Sequence, residues 1–197
     1  LPDPAVVQSR FVEALDLTGD PQAAQRLLQL DEQTREAPIH ETISSTTPPV
    51  ASARRTNLPA QLTRFIGRER EMDEVRRLLS QHRLVTLTGS GGIGKTRLAM
   101  EVGATESVAH TDGVWLVELA PLADPDLVPR ATASVFGLAD APGLPSIQLL
   151  IDSLKDRRLL LILDNCEHVI GACAQLAERL LRACPQLTIL ATSREAL

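Results

Sequence analysis

One octapeptide constrains this chain more than any other stretch: Gly89-Ser90-Gly91-Gly92-Ile93-Gly94-Lys95-Thr96. It directly follows the β-rich run Leu84 to Thr88 and directly precedes a helical pattern over Leu98 to Val108. Its glycines let the backbone curl so that successive N–H groups converge on one point. The helix that opens there adds the partial positive charge of its N-terminus. In this strand–loop–helix context, Gly-x-x-x-x-Gly-Lys-Thr predicts a cradle for phosphate groups. Lys95 is expected on the outer phosphates and the Thr96 hydroxyl on a magnesium ion. The alternative, a Gly-rich turn with a chance Lys-Thr, does not account for the flanking elements.

A phosphate loop needs a metal-side carboxylate at the end of a neighbouring strand. Leu159 to Leu163 is a solid aliphatic run, as expected for a strand covered on both faces. It delivers Asp164 to the carboxyl edge of the sheet, where such ligands gather. Magnesium keeps several waters, so Asp164 is expected to act directly or through one of them. A helix-capping role for Asp164 is compatible with this. Another strand, Val114 to Leu119, lies between the loop and Asp164 in sequence. In the additional-strand class of P-loop proteins one strand also separates the two in space, and Leu187 to Ala191 is the natural candidate. Its end, Thr192-Ser193-Arg194, places a polar and cationic tip beside the third-phosphate position. Arg194 therefore reads as a sensor of that phosphate, with a surface charge opening the next helix as the alternative.

The rest of the chain organises around these blocks. Residues 1–33 read as the helical remnant of an upstream domain, with one helix over Ala5 to Leu17 and a second opened by Asp20-Pro21. Residues 34–57 are polar and Pro-bearing and read as a flexible linker. Helical spacing marks Glu69 to Gln81, Asp126 to Phe136, a segment capped by Ser146 through Leu154, and Val169 to Leu181 stopped by Pro185. Alternation of strands with helices predicts an α/β fold with a parallel sheet flanked by helices over residues 58–197. Trp115 reads as core and His168 as a solvated or capping residue.

Composition excludes several classes. The 197 residues carry a formal net charge of −5, which argues against a dedicated nucleic-acid domain. Aromatics make up 2%, too few for a base-stacking platform. No apolar run is long enough to span a membrane. Cys166, Cys173 and Cys184 form no disulfide framework, which fits a reducing compartment. A zinc site borrowing His168 lacks the usual CxxC pair. The chain starts at Leu1 rather than Met and is expected to be a piece of a longer cytoplasmic protein.

Together these blocks are similar to the STAND class of signal-transduction ATPases, NB-ARC-like relatives of the AAA+ proteins. Phe65-Ile66-Gly67-Arg68-Glu69 resembles the motif that precedes the phosphate loop in that class. Thr86 to Thr96, Leu163-Asp164-Asn165-Cys166-Glu167-His168 and Ala191 to Glu195 resemble the ATPase module of large bacterial LuxR-type and SARP-type transcriptional regulators. Similar modules also follow adenylate-cyclase or protein-kinase domains. The resemblance implies ATP/ADP and Mg²⁺ as ligands. It places Ile66, Gly67 and Arg68 near the adenine and ribose. Gly89, Gly91, Gly92, Ile93, Gly94, Lys95, Thr96 and the adjoining Arg97 would hold the nucleotide, Thr96 and Asp164 the metal, and Arg194 the γ-phosphate. Lys95, Asp164, Glu167 and Arg194 form the catalytic set.

One departure matters. Many active relatives carry a second acid after the Walker B Asp, and here that position is Asn165, whose amide cannot accept a proton as a base. Glu167 is the candidate substitute, and slow hydrolysis is the expectation. The reading is an ATP/ADP switch that self-associates when ATP-bound and reaches DNA only through a domain outside this stretch, with no membrane contact. The chain is expected to stop before the last sheet strand and the winged-helix part of the class. A small-molecule kinase would need a basic mobile lid, and Ala139 to Pro145 carries no Arg or Lys. A scaffold with a degenerate site would not need Lys95, Thr96 and Asp164 together.

Overall fold

The computed structural model describes residues 56–61, 65–139 and 143–197. The helical segment expected over 1–33 and the linker up to residue 55 lie outside the described residues. Within them the elements run α1 (Glu69–Gln81), β1 (Leu84–Leu87), α2 (Lys95–Glu106), β2 (Val114–Glu118), α3 (Val128–Val135), α4 (Ser146–Leu154), β3 (Leu160–Asp164), α5 (Ile170–Ala183) and β4 (Thr188–Thr192).

The four strands form one parallel sheet in the order β1-β4-β3-β2. The last strand in sequence is thus inserted between β1 and β3, in the slot anticipated for it. Thr192 lies opposite Leu87 and Ala191 opposite Leu163. Successive side chains of a strand point to opposite faces, and the two faces are buried differently. Leu160 and Ile162 join Val85, Leu87, Val114, Leu116 and Leu190 under α1 and α2. Leu161 and Leu163 join Val117, Ile189 and Ala191 under α3, α4 and α5. Burial on both faces is why β3 reads as an unbroken aliphatic run.

Two contacts set the position of the site. Gly103 brings α2 hard against the sheet: a Cβ there would lie 2.8 Å from Ile162 Cδ1 and 3.0 Å from Val114 Cγ1. At the far edge, Thr56 bridges Val114, and the Asn57 amide bonds the Leu116 carbonyl at 2.8 Å and its N–H at 2.7 Å. These two residues end the stretch read as linker, yet they cover the open edge of β2.

Local chemistry shifts three helix starts from their expected places. The helix read from Leu98 begins at Lys95, so the end of the octapeptide is already helical. The helix read from Asp126 begins at Val128, because Asp124 caps a preceding 3₁₀ turn by accepting from the Asp126 N–H. Ser146 does not cap α4. It is the first residue of that helix, Pro145 holds the cap position in extended backbone, and no side chain caps it. Among the described residues, no helix is long and apolar enough to cross a membrane.

Candidate nucleotide site

The octapeptide leaves the buried strand β1 and turns into α2 through glycines at backbone angles that side chains resist. Gly92 has φ +80° and Gly94, at the helix cap, φ +85°. No acidic residue occupies the first turn of α2, so nothing in that turn offsets the helix's positive end. The Lys95 Nζ donates to the carbonyls of Gly89 at 2.8 Å and Ser90 at 2.9 Å. This holds one ammonium group across the curl.

The strand tips stand opposite. Asp164 is 8% exposed at the end of β3. Its Oδ1 accepts from the Thr96 hydroxyl at 2.7 Å and from the Thr192 hydroxyl at 2.6 Å. Thr192 in turn accepts from the Asn165 N–H at 3.0 Å. One carboxylate oxygen thus gathers the first turn of α2 and the end of β4. The donor set suits Mg²⁺, a hard cation that takes a few protein oxygens and keeps waters and phosphate oxygens for the rest. Asn165 has φ +65°, and among the described residues it is the one non-glycine with positive φ. Such strain persists only where the surroundings fix it, commonly at functional sites.

Three arginines approach the loop. An Arg194 terminal nitrogen lies 3.5 Å from where a Cβ on Gly91 would be, and one of Arg68 lies 3.6 Å from the equivalent point on Gly94. Arg97 bonds Glu101 at 3.0 Å and places its guanidinium carbon 5.9 Å from the Phe65 ring centroid. Arg194 Nε pairs with Glu167 Oε1 at 3.3 Å.

A cleft of about 460 Å³ brings many of these groups together. Gly91, Gly92, Gly94, Lys95, Thr96 and Arg97 line one side, Glu167 and Arg194 the other. Asp164 lies beneath it, bonded to Thr96. Ile66, Gly67, Arg68, Gly89 and Ile93 do not line it; the Ile66 side chain is exposed, and Arg68 contacts the loop from outside.

Thr192, Asn165 and Met100 also line the cleft, and sequence reasoning singled out none of them as a ligand group. Thr192 had a signal, a hydroxyl at the last position of the inserted strand. Met100 had none.

The neighbouring residues have structural roles. His168 is exposed, yet its Nε2 bonds the Leu119 carbonyl at 3.0 Å and ties the turn after β3 to the end of β2. Trp115 is half-buried, stacks at a tilt 5.1 Å from Phe136 and donates to the Asp112 carbonyl at 3.1 Å. The three cysteines are buried free thiols. Cys166 is pushed above the usual thiol range, first by its hydrogen bond with Cys173 and then by burial.

Residues 58–196 match the family described as Novel STAND NTPase 1. An uncharacterized protein of Mycobacterium tuberculosis is 49% identical over 136 residues, covering 69% of this chain and 35% of that protein. A second protein of that organism, named as an HTH-type transcriptional regulator, is 49% identical over 121 residues, covering 61% of this chain and 14% of its own length. The regulatory protein AfsR of Streptomyces coelicolor is 32% identical over 161 residues, covering 72% of this chain and 16% of AfsR. The chain thus spans 35% or less of each of these relatives. Among solved structures, Cdc6p of Pyrobaculum aerophilum superposes with a TM-score of 0.52 at 16% identity, over 70% of this chain and 41% of that one, a likeness of fold. With the family's pattern running through the sheet, the loop and both strand tips, this chain belongs to the Novel STAND NTPase 1 family.

Proposed function

We propose that this domain is an ATP/ADP-binding switch with slow hydrolysis, working in the cytoplasm inside a bacterial regulatory protein. The observation that carries the reading is the convergence of the Thr96 and Thr192 hydroxyls on Asp164 Oδ1 beneath the glycine curl. Thr96 and Asp164 would hold Mg²⁺, which when bound neutralises charge on the phosphate oxygens. Backbone amides of the curl and Lys95 bind the phosphates, and Arg194 distinguishes a third phosphate from its absence. Only a ligand that contacts two states unequally can shift them, and that third phosphate is the unequal contact. Slow hydrolysis follows from Asn165 in the second-acid position and from the Glu167 carboxylate being engaged by a cation. The relatives named as regulators support a DNA-directed output through another domain, with self-association in the triphosphate state.

Titration calorimetry with ADP and with a non-hydrolysable ATP analogue, each with Mg²⁺, tests this. Lys95→Ala is expected to weaken both by about 100-fold, the loss of charge-assisted bonds to phosphate. Asp164→Ala is expected to remove most of the Mg²⁺ dependence. Binding unaffected by Lys95→Ala, or a turnover above about 10 s⁻¹, contradicts the reading.

A further inference from the structure

Glu167 and Arg194 leave neighbouring strands, and strand order is what makes them meet. Glu167 sits in the 3₁₀ turn Cys166–His168 after β3, and Arg194 lies two residues beyond the end of β4. The register Leu87↔Thr192, extended by the bond from the Ser193 N–H to the Leu87 carbonyl at 3.0 Å, carries Arg194 out of the sheet beside the start of the phosphate loop.

The two partners are unequal. The Glu167 side chain is 21% exposed and that of Arg194 67%. The carboxylate is the fixed member, and the long arginine chain is the one that needs fixing. A guanidinium presents five N–H donors in one plane. Here the Nε edge is taken by Glu167 Oε1, while a terminal nitrogen lies against Gly91, whose missing side chain leaves the approach open. The carboxylate therefore does not draw the guanidinium away from the loop. It holds one edge of the fork and leaves the other facing the phosphate side.

We propose that Glu167 is a positioning residue that aims the Arg194 guanidinium at the phosphate loop and thereby sets the preference for a nucleoside triphosphate over a diphosphate. This rests on the nucleotide-switch reading and replaces a proton-accepting role for Glu167 with an orienting one. A pre-aimed arginine loses less side-chain freedom when it takes a phosphate oxygen. The negative charge of Glu167 acting through space has the opposite sign: it repels the more highly charged nucleotide, so its removal would favour the triphosphate. The direction of the change thus separates aim from field.

The experiment measures, in the full chain, the affinity for the β,γ-imido ATP analogue relative to ADP, each with Mg²⁺, alongside a thermal melt of every variant. Glu167→Ala is expected to lower that ratio roughly two- to fivefold, the span of a partly exposed ion pair. Glu167→Gln keeps an oxygen that can accept from Nε and is expected to retain most of the ratio. Arg194→Ala lowers it further, and the double variant matches Arg194→Ala alone, because Glu167 acts only through Arg194. A ratio unchanged or raised in Glu167→Ala, a Glu167→Gln variant as impaired as Glu167→Ala, or additive effects in the double variant would overturn the proposal. Those outcomes leave nucleotide binding intact. Failure of the wild-type chain to bind either nucleotide, or indifference to Lys95→Ala, brings down the switch reading as well.

Discussion

In the phosphate loop, Lys95 bonds carbonyls five and six residues away, and the curl is made by glycines within the same octapeptide. Across the cleft, Asp164 is held by hydroxyls 68 and 28 residues away, from α2 and from β4. The first wall of the site is a local structure, and the second exists only once the sheet has assembled. Changes in the loop should therefore alter ligand affinity with little effect on folding. Changes at the strand tips should alter both together.

The strongest break in that comparison comes from pairing the two lysine and aspartate variants. Lys95→Ala should lose about 100-fold in affinity while its melting temperature stays within roughly 2 °C of the parent, since nothing buried loses a partner. Asp164→Ala should cost about 2 kcal/mol in urea denaturation, because it leaves the buried Thr192 hydroxyl and the Thr96 hydroxyl without their acceptor. Equal stability losses for the two would erase the distinction between the walls. A smaller effect tests the strained tip: Asn165→Ala should be less stable than Asn165→Gly by about 1 kcal/mol, the cost of a left-handed conformation for a residue with a Cβ. The smallest concerns a threonine one strand away. Thr86 is 3% exposed and, among the described residues, its hydroxyl has no hydrogen-bond partner. Thr86→Val should leave stability unchanged or raise it by up to about 1 kcal/mol, in contrast to the loss expected when the bonded Thr192 is treated alike.

The loop was legible because its chemistry is consecutive: glycines, lysine and threonine at fixed offsets, bounded by a strand run and a helix run. Asp164 was legible because an aliphatic run that ends in a carboxylate leaves few other readings. The helix starts at Val128 and Ser146 were less so. Asp124 competes for the cap upstream of one, and Pro145 takes the cap position of the other in extended backbone. The Glu167–Arg194 pair was not legible at all, although each residue stood out alone. No spacing of 27 residues announces a contact; it follows from β3 and β4 being neighbours.

By itself the sequence determined the curl of the loop, the alternation of strand and helix and the identity of the charged groups. All of these depend on backbone propensity and side-chain chemistry within a few residues. The tertiary structure decided which strand entered the middle of the sheet, and with it that Thr192 bonds Asp164 and that Glu167 holds Arg194 over Gly91. Parallel strands joined by long crossovers carry no local mark of their order. The order is set when both faces of the sheet are buried at once, so the second wall of the site appears only in the folded chain.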